Sequence, residues 1–388
     1  MRQVVVSLAD LSASIGEAVT SVRLARSFAE LGHEVILLAP TPRDVRPVVA
    51  AAPAAVRYSP NVTRLGLPNS LNSLVQVWLV LGLVLRRQVD VVYVRAASLT
   101  FLFGFLLRGW TRVVVVTEHH GWLAAERLIS GRRTWLAPLE RWLQVLDARC
   151  ARRVRTVVPG IRQRLADGGV EAARVMVIGN AADTEAIRPL PREPALRRYG
   201  LDPARVYLGF LGSLTAWQGL DDVLRAFACL AREDARLHLL LVGEGPCRAG
   251  LEALARELGV EARVTLLGRV GHEQVGDAMA CFDLALLPTH RGAYADIGRS
   301  PLKLREYAAA GRAVLAAEID AVDALAAEPW IAFYRPGDAE SFCAAARRLL
   351  GDGAQLVEAG RAARVYAEQH FAWPVIAASI LAGLPRAA

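Results

Sequence analysis

The sequence predicts an α/β protein built from two doubly wound, Rossmann-like domains. The chain opens with an apolar strand, Val4 to Leu8, followed by a loop, a helix to about Leu31 and a second strand, Val35 to Ala39. A second unit of this kind starts at the apolar run Val206 to Leu211. Short apolar strands alternating with helices are typical of open parallel sheets covered by helices. The 388 residues suffice for two such cores.

The composition is that of a globular protein, with 54% hydrophobic and 22% charged residues. Its five cysteines lack paired spacing, which predicts reduced thiols in a cytoplasmic protein and no zinc site. The opening Arg-Gln-Val-Val-Val-Ser is typical of a strand rather than of a signal peptide.

The net charge of +8 is unevenly distributed. Residues 1–184 hold 23 arginines against 13 acidic residues, whereas the remainder is slightly acidic. A basic half predicts an anionic partner, such as a membrane surface, a lipid phosphate or nucleic acid. Nucleic acid is disfavoured because the sequence has no zinc finger, RNA-recognition signature or basic helix with interleaved aromatic residues.

Two segments of the basic half are unusually apolar, Leu74 to Leu85 and Leu99 to Trp110. Both are shorter than the roughly 20 residues that span a bilayer. They are interpreted either as buried packing helices or as a monotopic surface, with apolar side chains immersed and arginines at the headgroups. Arginines are frequent over residues 132–174, and five tryptophans accompany the apolar segments: Trp78, Trp110, Trp122, Trp135 and Trp142.

The next strands, Val91 to Val94 and Val113 to Thr117, are almost wholly apolar and β-branched, as expected in the core of a parallel sheet. The second strand runs into Glu118-His119-His120-Gly121. Ligands of open α/β sheets lie beyond the carboxyl ends of strands, so one of these histidines is a candidate ligand-binding residue. A structural histidine is the alternative, and two histidines alone are weak evidence for a metal site.

A strand over Val154 to Val158, a helix from Gly160 and a strand over Val175 to Ile178 complete the first domain. The proline-containing stretch from Pro189 to Gly200 is predicted to be a linker. In the second domain each strand ends in a turn that contains glycine or proline; these strands are Val206 to Leu211, Leu237 to Val242, Val264 to Leu267 and Phe282 to Leu287.

The most informative stretch is Gly298 to Ala316. Ser300 is predicted to cap a helix that has Pro301 in its first turn, and Gly311 is predicted to end that helix in the left-handed conformation. A helix N-terminus attracts phosphate through its free amides and its partial positive charge. Arg299 and Lys303 add full charges, and Lys303 is the only lysine in a chain that otherwise uses arginine.

The run Ser-Pro-Leu-Lys-Leu-Arg-Glu-Tyr, followed by Ala-Ala-Gly-Arg-Ala-Val, resembles the nucleotide-sugar site of the retaining glycosyltransferases of family 4. The resemblance implies the GT-B fold, with two Rossmann-like domains facing a central cleft. It implies domains at 1–184 and 185–368 and a C-terminal helix, 369–388, that crosses back onto the first domain.

The resemblance also implies a donor site around this helix. Ser300, Pro301, Leu302 and Lys303 would hold the diphosphate, and Glu306 would bind the ribose. The family's first glutamate is replaced by Gly298, with Asp296 as the nearest carboxylate.

Further site residues follow from the same resemblance. Gly16 would approach the diphosphate, and His120, with His119 as the competing candidate, would face the transferred sugar. The family's diphosphate-binding arginine and lysine are replaced by Ser213 and Gln218. The remaining expected contacts come from turns after strands, at Gly212, Gly243, Arg269 and Val270.

The expected reaction is transfer of a sugar from a nucleotide diphosphate sugar to an acceptor hydroxyl, with the anomeric configuration retained. No metal and no cofactor beyond the donor is expected, because helix amides, Lys303 and Arg299 would neutralise the diphosphate. The acceptor would be lipid-linked if the chain works at the inner membrane face in glycolipid or cell-surface polysaccharide synthesis. A GT-B nucleotide-sugar epimerase and a non-catalytic partner protein are the alternatives.

Overall fold

The computed structural model describes residues 1–11, 16–43, 55–97, 99–110, 112–122, 134–290, 300–318, 325–351 and 353–385. Asp296, Gly298 and Arg299 lie outside these residues. The chain divides into two compact units. Unit 1 comprises Met1–Gly179 and Trp373–Ala388, and unit 2 comprises Asn180–Ala372.

Unit 1 is built on a seven-stranded parallel sheet with the order β3-β2-β1-β4-β5-β6-β7. Valines of the central strands are fully buried, as the β-branched runs predict. The strands are β1 (Arg2–Val6), β2 (Glu34–Pro40), β3 (Ala55–Ser59), β4 (Val91–Arg95), β5 (Val114–His119), β6 (Arg153–Thr156) and β7 (Val175–Val177).

Helices connect these strands, and the C-terminal helix, Trp373–Ala382, also belongs to unit 1, where it packs against the first helix. The two apolar segments of the sequence form the second and third helices, which contact each other. The connecting helices are α1 (Gly16–Glu30), α2 (Asn72–Leu85), α3 (Phe101–Leu107), α4 (Ala137–Cys150) and α5 (Pro159–Asp167).

Unit 2 is built on a six-stranded parallel sheet with the order β10-β9-β8-β11-β12-β13. The strand order reverses between β8 and β11, so the carboxyl ends of these two strands form the topological switch point at which doubly wound sheets bind ligands. The strands are β8 (Val206–Leu211), β9 (Leu237–Val242), β10 (Val264–Gly268), β11 (Leu284–Leu287), β12 (Ala313–Ala317) and β13 (Ile331–Tyr334).

The helices of unit 2 pack with this sheet around one large apolar core. They are α6 (Arg192–Arg198), α7 (Leu220–Glu233), α8 (Arg248–Glu257), α9 (Val275–Ala280), α10 (Leu302–Ala309), α11 (Ala339–Leu350) and α12 (Gly353–Tyr366). The prediction that Pro189 to Gly200 forms a linker is wrong, because Arg192–Arg198 of this stretch form helix α6. Its Ala195 and Leu196 are buried in the core, and this packing outweighs the local turn signals.

Candidate functional site

Helix α10 begins at the carboxyl edge of the second sheet without a side-chain cap. Pro301 is the N-cap residue and forms no capping hydrogen bond, so the prediction that Ser300 caps the helix is wrong. The Ser300 hydroxyl instead accepts the backbone N–H of Asn180 at 3.1 Å, and the Asn180 amide donates to the Ser300 carbonyl at 2.6 Å. Ser300 therefore fixes the chain that leads into the helix, while the helix keeps amides without a side-chain cap.

Lys303 lies beside the turn that follows β8. Its Nζ is 4.5 Å from the ring centroid of Phe210 and 5.9 Å from that of Trp217, both within the range of a cation–π contact. A methyl group built on Gly212 would overlap this ammonium group. The lack of a side chain at Gly212 therefore makes room for Lys303.

Tyr307 anchors the same helix to the sheet. Its hydroxyl accepts the backbone N–H of Leu211 at 2.9 Å, and its ring packs edge-on against Phe282. Burial raises the pKa of Tyr307, so the hydroxyl stays protonated at neutral pH. Because Tyr307 lies one turn after Lys303, the bond at Leu211 fixes the position of Lys303 next to Gly212. Glu306 is half-buried on the neighbouring turn.

Glycines bring the turns after β8, β9 and β10 close together. Gly212 has a φ of 152° and Gly243 a φ of 142°, values that side chains rarely allow. A methyl group on Gly243 would overlap the Gly212 carbonyl, and the Gly243 N–H donates to the Gly268 carbonyl at 2.8 Å. Arg269, after β10, is exposed, and Val270 is half-buried.

Ser213 and Gln218, the neutral residues at the positions of the family's diphosphate-binding arginine and lysine, differ in their surroundings. Ser213 is exposed in the turn after β8. Gln218 ends a short 3-10 helix and is buried, and within the described chain its Nε2 has no hydrogen-bond partner. Neither residue supplies positive charge, so Lys303 is the cation that the described part of this edge places beside the Gly212 turn.

A buried ionic cluster lies at the carboxyl ends of β4, β5 and β6 in unit 1. Arg155 Nη1 donates to Glu118 Oε1 at 2.7 Å and to the Tyr93 hydroxyl at 3.0 Å, and Tyr93 donates to Glu118 Oε2 at 2.7 Å. His120 Nε2 also contacts Glu118 Oε1. Burial alone would raise the pKa of Glu118, but Arg155 and then His120 hold it well below its usual range.

His120 is held by this cluster at one ring nitrogen. Burial lowers the pKa of His120 although Glu118 opposes the shift, so the ring is neutral at neutral pH. Because Glu118 is an ionised acceptor, the proton belongs on Nε2 and the lone pair on Nδ1. No hydrogen bond to Nδ1 occurs among the described residues, which leaves that nitrogen as an acceptor for a ligand hydroxyl.

His119 has a different environment. Strand β5 extends to His119, two residues beyond the predicted end, and its side chain is completely buried. Its Nε2 is 3.1 Å from Asp147 Oδ2, and its Nδ1 is 3.2 Å from the Gln144 amide. Asp147 and Gln144 lie on α4, so His119 packs this helix against the sheet. A substrate contact at His119 does not agree with this burial.

Three further observations concern the predicted diphosphate contact, a metal site and a membrane span. Gly16 is the first residue of α1, and residues 12–15 before it are outside the described ranges. No group of three or more potential metal-ligating side chains occurs among the described residues. Among the same residues, no helix is both long enough and apolar enough to cross a bilayer.

Comparison with known families assigns both halves of the chain. Residues 16–186 match the family model described as Glycosyltransferase Family 4, and residues 205–352 match that of the Glycosyl transferases group 1. The chain belongs to the family 4 glycosyltransferases.

One curated relative of this family 4 chain is a D-inositol 3-phosphate glycosyltransferase of Gordonia bronchialis. The two are 29% identical over 233 residues, which is 56% of this chain and 48% of the relative. The chain thus spans about half the length of this relative.

Solved structures show the same fold over nearly the whole chain. Sucrose-phosphate synthase from Thermosynechococcus elongatus aligns with a TM-score of 0.73 at 18% identity, covering 98% of both chains. The Anabaena protein Alr3699/HepE, solved in complex with UDP, aligns with a TM-score of 0.74 at 17% identity, covering 99% of this chain and 100% of that one. The predicted GT-B fold class, with two doubly wound parallel sheets, is therefore confirmed.

Several residues that shape the candidate site of this family 4 glycosyltransferase were not found by sequence reasoning. They are Phe210, Trp217 and Tyr307 around Lys303, Asn180 at Ser300, and Tyr93 and Arg155 at Glu118. For Phe210 and Trp217, the position of an aromatic residue next to a glycine turn is a usable signal in the sequence. The partners of Ser300 and Glu118 are distant in sequence and give no local signal.

Proposed function

We propose that this chain transfers a sugar from a nucleotide diphosphate sugar to an acceptor hydroxyl, as a glycosyltransferase. Membership of the family supports the reaction class. The observation that carries the proposal is the position of Lys303 beside the Gly212 turn and at the uncapped start of α10. This arrangement lies at the switch point of the second sheet, where phosphate groups are bound in such folds.

The leaving diphosphate gains negative charge as the glycosidic bond breaks. Amides at the start of α10 and the Lys303 ammonium would stabilise that charge, which is an electrostatic contribution that needs no proton transfer. The aromatic surroundings of Lys303 reduce its hydration, and a less hydrated ammonium attracts phosphate more strongly. Arg299 is proposed to add a second charge. Ser213 and Gln218 supply none, so the diphosphate would depend on Lys303 more than the family pattern implies.

The finer assignments are proposals of the same kind. Glu306 would accept hydrogen bonds from the ribose, and His120 would accept a sugar hydroxyl at Nδ1. The remaining donor contacts would come from Gly16, Gly212, Gly243, Arg269, Val270, Asp296, Gly298, Ser300, Pro301 and Leu302. UDP is the nucleotide to test first, because a solved structure of the same fold is titled as a UDP complex.

The function is tested by incubating the protein with UDP-sugars, with and without acceptor hydroxyl compounds, and following release of UDP. Acceptor-dependent release supports a transferase, whereas conversion of the donor alone favours an epimerase. Binding of no nucleotide favours the non-catalytic partner, which the neutral Ser213 and Gln218 also motivate. NMR of the product anomer tests the proposed retention, and activity unchanged by EDTA tests the proposed metal independence.

We further propose that unit 1 binds an anionic membrane surface, where a lipid-linked acceptor would be found. Of the five tryptophans noted in the sequence, Trp78, Trp135 and Trp142 are 65%, 69% and 59% exposed. Helix α3 contacts α2 and α4, so these helices are neighbours in unit 1. The exposed apolar side chains of these helices also include Leu74, Leu79, Leu85, Phe105 and Leu139, and the exposed arginines within or directly after them include Arg86, Arg87, Arg108, Arg141 and Arg149.

Exposed tryptophans next to arginines match the chemistry of an interfacial surface, because the indole rings enter the headgroup region and the guanidinium groups pair with phosphates. Sedimentation with phosphatidylglycerol vesicles tests this. The Trp78→Ala/Trp142→Ala double variant should lose at least about tenfold in binding, whereas Leu31→Ala/Val177→Ala, at exposed apolar residues outside these helices, should bind normally. Equal binding by both variants, or no binding to anionic vesicles at low salt, would contradict the proposal.

A further inference from the structure

A cavity lies in unit 2, at the edge of the sheet opposite the candidate donor site. Its volume is about 900 Å³. Val206 and Leu237, the first residues of β8 and β9, line it, together with Asp283 and Arg312, which immediately precede β11 and β12. The cavity is therefore at the amino ends of the strands, whereas Gly212 and Lys303 are at the carboxyl ends. Its size is within the range of roughly 300–1,000 Å³ that is usual for small-molecule sites.

The wall contributed by the last helices of unit 2 carries apolar side chains beside Arg361 and Arg364. Val357 and Val365 of α12 are 56% and 50% exposed and line the cavity. Leu350, Leu356 and Pro189 complete this wall. Branched apolar side chains exposed in a concave surface are suited to bury the apolar part of a ligand.

The charged side chains of the cavity are mainly cationic. Five arginines and two aspartates line the cavity, but four of these arginines are ion-paired with carboxylates: Arg192 with Asp283, Arg236 with Asp234, Arg361 with Glu358 and Arg364 with Glu368. The charged lining residues are Arg192, Arg236, Arg312, Arg361 and Arg364, with Asp234 and Asp283. Among the described residues Arg312 is the lining arginine without an ion-pair partner, so the positive charge that favours an anionic ligand is located there.

Arg312 is the cation best placed to receive an anion. Its Nε donates to the Ala310 carbonyl at 3.2 Å and its Nη1 to the Phe282 carbonyl at 2.9 Å. Within the described residues no carboxylate is within ion-pair distance of it, because Asp283 pairs with Arg192. Burial lowers the pKa of Arg312; the charge of Asp283 opposes this shift and that of Arg192 adds to it. The guanidinium is thus held by carbonyl groups and, among the described residues, has no carboxylate within ion-pair distance.

We propose that this cavity binds an organic anion with an apolar body, its carboxylate or phosphate head at Arg312 and its apolar chain against Val357 and Val365. The Arg312 guanidinium accounts for the head group, and the apolar side chains of α12 account for the chain. This inference is independent of the proposed glycosyl transfer, because it uses no residue of the candidate donor site.

Isothermal titration calorimetry of the full chain tests the proposal, with probes kept below the concentrations at which they form micelles. Decanoate and decyl phosphate should both bind saturably, and their relative affinity tells which head group Arg312 prefers. Inorganic phosphate alone and decyltrimethylammonium should bind at least about tenfold more weakly. Binding of decyltrimethylammonium or of inorganic phosphate as tight as that of decanoate would overturn the proposal.

Two variants test whether decanoate binds in this cavity. Arg312→Gln and Val357→Glu should each weaken decanoate binding at least about tenfold, the first by removing the cation and the second by adding a negative charge to the wall. Val357 is exposed, so this variant should fold even if Arg312→Gln does not, and circular dichroism checks both. Arg256→Gln, on the exposed surface of α8, is the control and should bind normally. Absence of saturable decanoate binding, or equal binding by Val357→Glu and the unmodified chain, would refute the site.

Discussion

Replacement of Lys303 by alanine is the perturbation that the proposed donor site makes most informative. The variant removes the ammonium group next to Gly212 and leaves Tyr307, which holds the helix on β8, unchanged. A hydrogen bond to a charged group contributes about 1.5–3 kcal/mol. A Coulomb energy of about 4 kcal/mol, for unit charges 4 Å apart at an effective dielectric constant near 20, sets the upper limit. Because Lys303 is half-buried, we expect the loss of binding free energy to lie in the range of about 1.5–3 kcal/mol, below the Coulomb limit.

This loss corresponds to a roughly 10- to 150-fold weaker affinity for UDP. Isothermal titration calorimetry measures it directly, with the thermal midpoint of each variant as the check on folding. Arg162→Ala, an exposed residue of α5, is the matched control and should change the affinity less than about twofold. Lys303→Arg should restore little, because the planar fork of arginine is wider than an ammonium group and Phe210 and Trp217 surround the position. UDP affinity unchanged in Lys303→Ala would refute the reasoning.

Three further predictions follow from individual contacts. Gly212→Ala should displace the Lys303 ammonium and weaken UDP binding by an amount close to that of Lys303→Ala, measured by the same titration. Glu118→Gln should lower the free energy of unfolding by about 3–5 kcal/mol in urea denaturation, because it leaves the buried Arg155 charge uncompensated. The free energy of unfolding should fall on acidification below about pH 6.5, and His120→Asn should make this fall less steep, by a slope equivalent to at most about one bound proton. The reason is that burial lowers the folded-state pKa of His120, so below pH 6.5 the unfolded chain binds more protons than the native one.

Matched controls separate these effects from general damage. Gly250→Ala should not weaken UDP binding, since the helix offers open space at that position. The double variant Glu118→Gln/Arg155→Met should be more stable than Glu118→Gln alone, because it removes the unpaired charge. A double variant as unstable as the single one would show that the ion pair is not the cause. A pH profile of stability identical in the presence and absence of His120 would contradict the assigned pKa shift.

Regular strands were predictable because their signal is local. The apolar runs Val206 to Leu211 and Leu237 to Val242 are strands β8 and β9 with the predicted ends, since an uninterrupted β-branched or leucine-rich run is buried on both faces. The left-handed conformation of Gly311 was predictable for the same reason, because glycine at the end of a helix has few alternatives.

The predictions that the structure corrected depend on partners distant in the sequence. Ser300 has the chemistry of an N-cap, but its hydroxyl accepts the backbone N–H of Asn180 instead, and that contact spans 120 positions of the chain. His119 and His120 are equivalent in sequence; their environments differ because alternate residues of a strand point to opposite faces. His119 faces the α4 cluster around Asp147, whereas His120 is beyond the strand end.

The central claim is that a diphosphate binds where α10 begins, against Lys303 and the Gly212 turn. A crystal structure of the protein with UDP tests it most directly. We expect phosphate oxygens within hydrogen-bond distance of Lys303 Nζ and of the backbone amides of Leu302 and Lys303. A diphosphate bound at any other place, with Lys303 still against Phe210 and no phosphate oxygen near it, would contradict the account.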